Sequence, residues 1–163
     1  MAWAPSSVFV TMTVGLLVGA QVMTSRAIGA GRPHDPGAVL RRGLVDAFWI
    51  GMASAVSLAL LGPLLLHAVH LPKALADGAT APMIVFSLSL PLYALTVVIS
   101  FWLEGLSRPG PVTIAMWVAN AVNLAVNLVL VPGTFGLPAL GAVGGAWATF
   151  VARAALLVML GVY

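Results

Sequence analysis

The sequence predicts an all-α membrane protein, a bundle of about five transmembrane helices forming one domain over residues 1–163. Three observations predict it. Hydrophobic residues make up 61% of the chain and charged residues 7%, against about 25% charged in an ordinary soluble domain. Charges divide the chain into uncharged runs at 1–25, 47–72, 78–103 and 109–152, and about 20 apolar residues suffice to cross the hydrocarbon core. No run alternates in polarity as the strands of a membrane barrel do. Helices are then the remaining way to satisfy every backbone N–H and C=O group in lipid.

The first helix, 6–27, closes at "AIGAGR" (27–32). Gly29 and Gly31 there supply the left-handed backbone that ends helices. No strand precedes them and their spacing is wrong for a dinucleotide fingerprint. The second helix, 42–69, opens at "RRGL" (41–44) and contains Pro63. The third, 81–106, contains Pro91 and ends in "FWLEGLSRPGP" (101–111). Membrane bundles tolerate such prolines as kinks. The last uncharged run is about twice the length of one crossing. "VPGTFGLPALGAVGG" (131–145) breaks it, because Gly and Pro in this density interrupt helices. The fourth helix is therefore 112–131 and the fifth 142–162.

Charge sets the orientation. The connections after the first and third helices carry Arg26, Arg32, Arg41, Arg42 and Arg108, and the opposite side carries Lys73. Basic loops stay in the cytoplasm, so Met1 starts outside. The sequence pI of about 10.2 reflects these loop arginines and implies no nucleic-acid partner. Without cysteine there is no disulfide framework and no thiolate metal site. His67 and His70 share an i, i+3 spacing near Lys73, yet no acidic third ligand or HExxH motif accompanies them. No metal, cofactor or enzyme is predicted, since no Ser/His/Asp set, paired carboxylate or phosphate loop is present.

Several polar residues lie within the apolar runs. Asn120, Asn123 and Asn127 fall within a roughly 60° arc of the fourth helix, joined by Thr113 and Met116. Facing lipid they would cost several kcal/mol each. They either line a hydrated cavity or bond neighbouring helices. Gln21 carries the same pair of alternatives. Gly141, Gly145 and Thr149 form a small-xxx-small face, expected to pack against a helix. Arg42 and Asp46, at i, i+4, are expected to pair at the interface. Arg153 sits about eleven residues into the fifth helix, roughly 16 Å deep, where an arginine costs on the order of 3 kcal/mol. None of the four acids, Asp35, Asp46, Asp77 and Glu104, is level with it. An asparagine, a backbone carbonyl, water or a segment outside the chain is left as its partner, unless it snorkels to the interface.

Taken in order, "AIGAGR", "RRGL", "FWLEGLSRPGP", "NLAVN" (123–127) and "GTFGLPALGAVGGAWAT" (133–149) resemble the multidrug and toxic compound extrusion (MATE) transporters. The resemblance implies two six-helix lobes, of which this chain matches the second to sixth helices of the first lobe. It leaves the family's first helix, which usually carries a cation-coupling aspartate, and the second lobe without counterparts. It implies a multi-pass plasma-membrane efflux transporter fragment of a proton- or sodium-coupled antiporter for small organic cations. The missing first helix and second lobe, or self-association, would complete it within the lipid bilayer. On this resemblance Glu104 is a family-pattern position, either binding a cation or proton or anchoring a hinge by pairing with Arg108 at i+4. The pathway candidates are thus Asn120, Asn123, Asn127, Gln21, Glu104 and Arg153. Two alternatives stand beside efflux: a non-transporting membrane interaction protein or inert gene fragment, and a relative that flips lipid-linked sugars.

The five-to-one distribution of loop charge is tested directly by single cysteines in this cysteine-free chain. An impermeant thiol reagent on intact cells should label Gly133→Cys and spare Pro36→Cys. The reverse pattern would invert the topology.

Overall fold

A computed structural model of the chain describes residues 3–30, 35–68, 73–134, 136 and 138–163. Among them are seven α-helices: α1 (Trp3–Leu17), α2 (Gly19–Gly29), α3 (Asp35–Ala68), α4 (Lys73–Leu88), α5 (Leu90–Gly105), α6 (Gly110–Leu130) and α7 (Gly141–Leu160). They group into the five expected crossings. α1 and α2 run on as one span over Ser6–Gly29, broken only by a turn at Val18. α4 and α5 form a single span bent by 43°.

The bounds shift where the sequence carries a signal other than hydropathy. α3 begins seven residues before 42, at Asp35 followed by Pro36, an acidic residue and a proline at the positive end of the helix, where both are favoured. α4 begins at Lys73, about two turns before 81. α2 does end at Gly29, but the cap at Ala30 has φ −84°, not left-handed backbone. Gly31 lies outside the described residues. Left-handed backbone appears instead in the α6–α7 connection, at Gly133 (φ 74°), Gly136 (φ 82°) and Gly141 (φ 52°). There the Leu140 and Gly141 N–H groups bond back to the Leu130 and Val131 carbonyls, which satisfies the end of α6.

The bend in the third span has an identifiable cause. Pro91 occupies the first turn of α5, where it lacks an N–H and its ring excludes the preceding helical carbonyl. The chain tightens before it: the Ser89 N–H bonds Phe86 O at 3.0 Å, a three-residue step. Ser89 donates its hydroxyl to the same carbonyl at 2.6 Å, and Ser87 donates to Ile84 O at 2.7 Å. Serine back-bonding of this kind bends helices.

This bent span sits centrally, packing on α1, α2 and α3 on one side and α7 on the other, with α6 against α7. Three apolar clusters fill the contacts. Leu58, Leu66, Met83 and Leu90 join α3 to the bend; Leu17, Ala47, Ala94 and Val98 join α1, α3 and α5; Ile99, Leu103, Val112, Ala115 and Leu160 join α5, α6 and α7. Close approach depends on glycine at particular points. A Cβ at Gly51 of α3 would stand 2.6 Å from Pro91 Cα. One at Gly144 of α7 would stand 2.8 Å from the Leu130 carbonyl oxygen. The tight face of α7 is therefore Gly144, Ala148 and Ala152, all buried, and not the expected Gly141, Gly145 and Thr149. Gly141 instead serves as the turn, and the packed stripe is rotated by one residue, about 100°.

The Gly51–Pro91 contact predicts a specific cost. Gly51→Ala should lower detergent-solubilised stability by about 1–3 kcal/mol, the usual cost of overpacking, seen as a lower melting temperature. Gly15→Ala in α1, where a Cβ meets nothing within 4 Å, should leave it unchanged or raised.

Candidate functional site

Of the sequence-predicted residues, Gln21 and Glu104 meet. The Gln21 amide donates to Glu104 Oε2 at 3.0 Å, joining α2 to α5. Gly105 makes this possible, because a Cβ there would stand 2.8 Å from Thr24 Cβ and 3.0 Å from Gln21 O. The expected pairing of Glu104 with Arg108 is absent among the described residues. The i+4 rule needs a continuous helix, and α5 ends at Gly105. The chain then turns through Ser107 at φ 59°. The Ser107 N–H bonds Glu104 O and the Arg108 N–H bonds Leu103 O, both at 2.9 Å. That is a Schellman closure with serine where glycine is usual, and it takes Arg108 off the helix face. The expected Arg42–Asp46 pair is absent among the described residues too. Both side chains are exposed, and basic-before-acidic is the weaker order on a helix.

The α6 amides are satisfied within their own helix. Asn120 donates to Met116 O at 3.0 Å. Asn127 donates to Asn123 O at 3.0 Å and to Asn123 Oδ1 at 2.9 Å. No hydrogen bond from these three crosses to another helix among the described residues. Asn120 is exposed and the other two are half-buried, beside the packed line of Val112, Ala115 and Ala119. Asn127 Oδ1 lies 3.5 Å from where a Cβ on Gly145 would stand.

Arg153 has partners that the sequence reading did not consider. Its Nη1 donates to Ser89 Oγ at 2.6 Å. Its guanidinium carbon lies 4.6 Å from the centre of the Phe86 ring and 4.5 Å from that of Tyr93. The cation is thus held by two aromatic rings, and Ser89 between them is wholly buried. Each ring contributes roughly 0.5–2 kcal/mol to such a cation, which offsets much of the cost of an arginine at depth without an acid. Phe86 and Tyr93 are seven residues apart in "FSLSLPLY" (86–93), but they lie on another span, and their spacing does not point to Arg153.

Arg153 also lines a groove of about 590 Å³ between α1, α4 and α7, with Ser7, Thr11, Phe86, Gly145 and Thr149. A larger groove of about 1080 Å³ lies between α1, α2 and α3, where Arg26, Arg42 and Asp46 meet Trp49. His70 and Arg32 lie outside the described residues, as do the side chains of His67 and Lys73, and no three potential metal ligands cluster among those described.

Comparison with known proteins places the geometry. The MatE family profile matches residues 1–129. The chain is 68% identical over all of its length to a probable multidrug resistance protein NorM of Caulobacter vibrioides, spanning 35% of that protein. It is 26% identical to the multidrug resistance protein NorM of Vibrio cholerae over 97% of the chain and 34% of that protein. The chain therefore spans about a third of the length of these relatives. A multidrug resistance MATE transporter in an inward-facing conformation superposes with a TM-score of 0.86, at 19% identity, over 98% of this chain and 36% of that one.

The aromatic clamp predicts measurable coupling. In a double-mutant cycle of Arg153→Met with Tyr93→Leu, the interaction energy should be about 0.5–2 kcal/mol, read by denaturant unfolding in detergent. A value near zero would mean that the Tyr93 ring does not hold the cation.

Proposed function

The chain belongs to the MatE family, and from that membership we propose that it forms part of a cation-coupled efflux transporter of the plasma membrane. The observation that carries this reading is the profile match over residues 1–129, and the multidrug resistance names of the relatives support it. Transport proceeds by alternating access, one lobe rocking against another around a central site. Proton or sodium entry drives the export of small organic cations. The reading assigns no catalytic step and no cofactor to the chain. Its partners are the lipid bilayer and the further helices that the relatives possess, or a second copy of itself.

Five of the six polar residues take roles in this proposal. Asn120, Asn123 and Asn127 form a wet wall of the pathway. Their local hydrogen bonds support this, because amides acting as glue would bond across helices. Each still has acceptor oxygens to offer a cation or a substrate proton. Gln21 and Glu104 link α2 to α5 near the cytoplasmic end. On this reading Glu104 is a cation-responsive anchor: a cation bound at its carboxylate competes with the charge-assisted bond from Gln21 and loosens the two spans.

Drug accumulation in cells lacking their own exporters tests the reading. The chain alone should insert without exporting, and co-expression with the remaining helices of its Caulobacter relative should restore efflux. Robust efflux by the chain alone would replace this reading with self-assembly. In the complemented protein, Asn123→Leu should leave abundance nearly intact and cut efflux. Lost folding with normal efflux by the surviving fraction would make the amides packing residues.

A further inference from the structure

Among the twelve residues lining the groove between α1, α4 and α7, Arg153 is the only charged one. Its five N–H donors are mostly uncommitted: the bond to Ser89 is the guanidinium's sole hydrogen bond among the described residues. No buried side-chain nitrogen there lacks a partner, so the unbonded nitrogens of Arg153 reach open space. The guanidinium carbon lies 4.6 and 4.5 Å from the ring centres of Phe86 and Tyr93, contacts that use none of its N–H donors as hydrogen bonds to oxygen, so those donors remain for a ligand. A planar donor edge is what a carboxylate binds best, through two parallel N–H···O bonds.

The remaining walls define the rest of the ligand. Val10, Pro82, Met83, Phe86, Ala142 and Ala146 are apolar, and Thr11 and Thr149 add hydroxyls. A volume of about 590 Å³ falls within the range of roughly 300–1,000 Å³ typical of drug-sized ligands. We propose that this groove is a subsite for a small amphipathic carboxylate, whose apolar body lies along α1 and α4 and whose carboxylate meets the edge of Arg153. The subsite is separate in chemistry from the α6 amides and repels the organic cations of the efflux reading. It does not rest on that reading, since binding is measured on the chain itself.

The test uses the chain in nanodiscs of phosphatidylcholine, with three probes of one shape: 2-naphthoate, 2-naphthylmethanol and 2-naphthylmethylammonium. Binding is followed by naphthyl fluorescence. Naphthoate should bind at least about tenfold more tightly than the ammonium probe, with the alcohol between them. Arg153→Gln should remove that order, and Arg153→Lys should keep its direction at lower affinity, because a lysine retains the charge without the bidentate edge. Replacing a fifth of the lipid by phosphatidylglycerol should leave naphthoate affinity within about twofold. Equal affinity for the three probes, or preference for the ammonium, in the unsubstituted chain overturns the proposal without reference to any variant. So does undiminished naphthoate binding in a folded Arg153→Gln. Displacement of naphthoate by phosphatidylglycerol assigns the groove to a lipid headgroup and overturns it too.

Discussion

A proline in the middle of the central membrane span sets the arrangement around it. Pro91 removes one backbone donor and excludes the helical carbonyl behind it, so the span bends by 43° between α4 and α5. The neighbouring helices conform to that bend. α3 presents Gly51 where Pro91 comes closest, and α7 presents Arg153 to the Ser89 hydroxyl at the bend itself. Phe86 and Tyr93 fall on either side of the break, and each brings its ring centre within 4.6 Å of the guanidinium carbon. Breaks in membrane helices are tolerated where protein or a cavity satisfies the freed groups. Here serine hydroxyls donate to the Ile84 and Phe86 carbonyls, and Arg153 in turn donates to Ser89 Oγ.

The polar side chains of this bundle mostly look after themselves. Thr13, Thr24, Ser87, Ser89, Thr96, Asn120, Asn127 and Thr149 each donate to a carbonyl three or four residues earlier in the same span. Such bonds remove the cost of a polar group in hydrocarbon without joining helices. Cohesion comes instead from apolar clusters and from close approach at Gly51, Gly105 and Gly144. Bonds that do cross between helices, such as Gln21 to Glu104 and Trp102 Nε1 to the Pro36 carbonyl at 2.8 Å, lock particular ends in register. That division matches a solvent in which apolar side chains gain little by meeting each other, so that steric fit decides association.

The crossings were legible in the sequence because hydropathy and charge act on whole segments. Each apolar span overlaps one of the uncharged runs, although α3 and α4 begin earlier than hydropathy alone places them, and the MatE family match covers residues 1–129. What was not legible depended on rotation and on local turns. The i+4 pairing of Glu104 with Arg108 failed because the helix stops at Gly105, and the small-residue stripe of α7 lies one residue away from the expected one. A span's position needs only summed hydrophobicity, whereas its packed face depends on the neighbour's shape. Arg153 shows the same limit. The search for its partner considered acids, amides, carbonyls and water, and aromatic rings on a different span have no sequence spacing that ties them to it.

The two polar regions flanking Gly145 divide by charge. On one side the Asn127 carbonyl oxygen lies beside Gly145, and on the other Gly145 lines the groove that ends at Arg153. A monovalent cation held about 6 Å from a guanidinium meets about 3 kcal/mol of repulsion at an effective dielectric of about 20, roughly a hundredfold loss of affinity. Amide oxygens carry no such penalty and attract cations through their dipoles. On the proposed efflux reading, an organic cation is favoured along α6 over the groove, and an anionic group in the reverse order. Gly145 thus stands beside two regions of opposite preference, the Asn127 amide on α6 and the groove lined by Arg153.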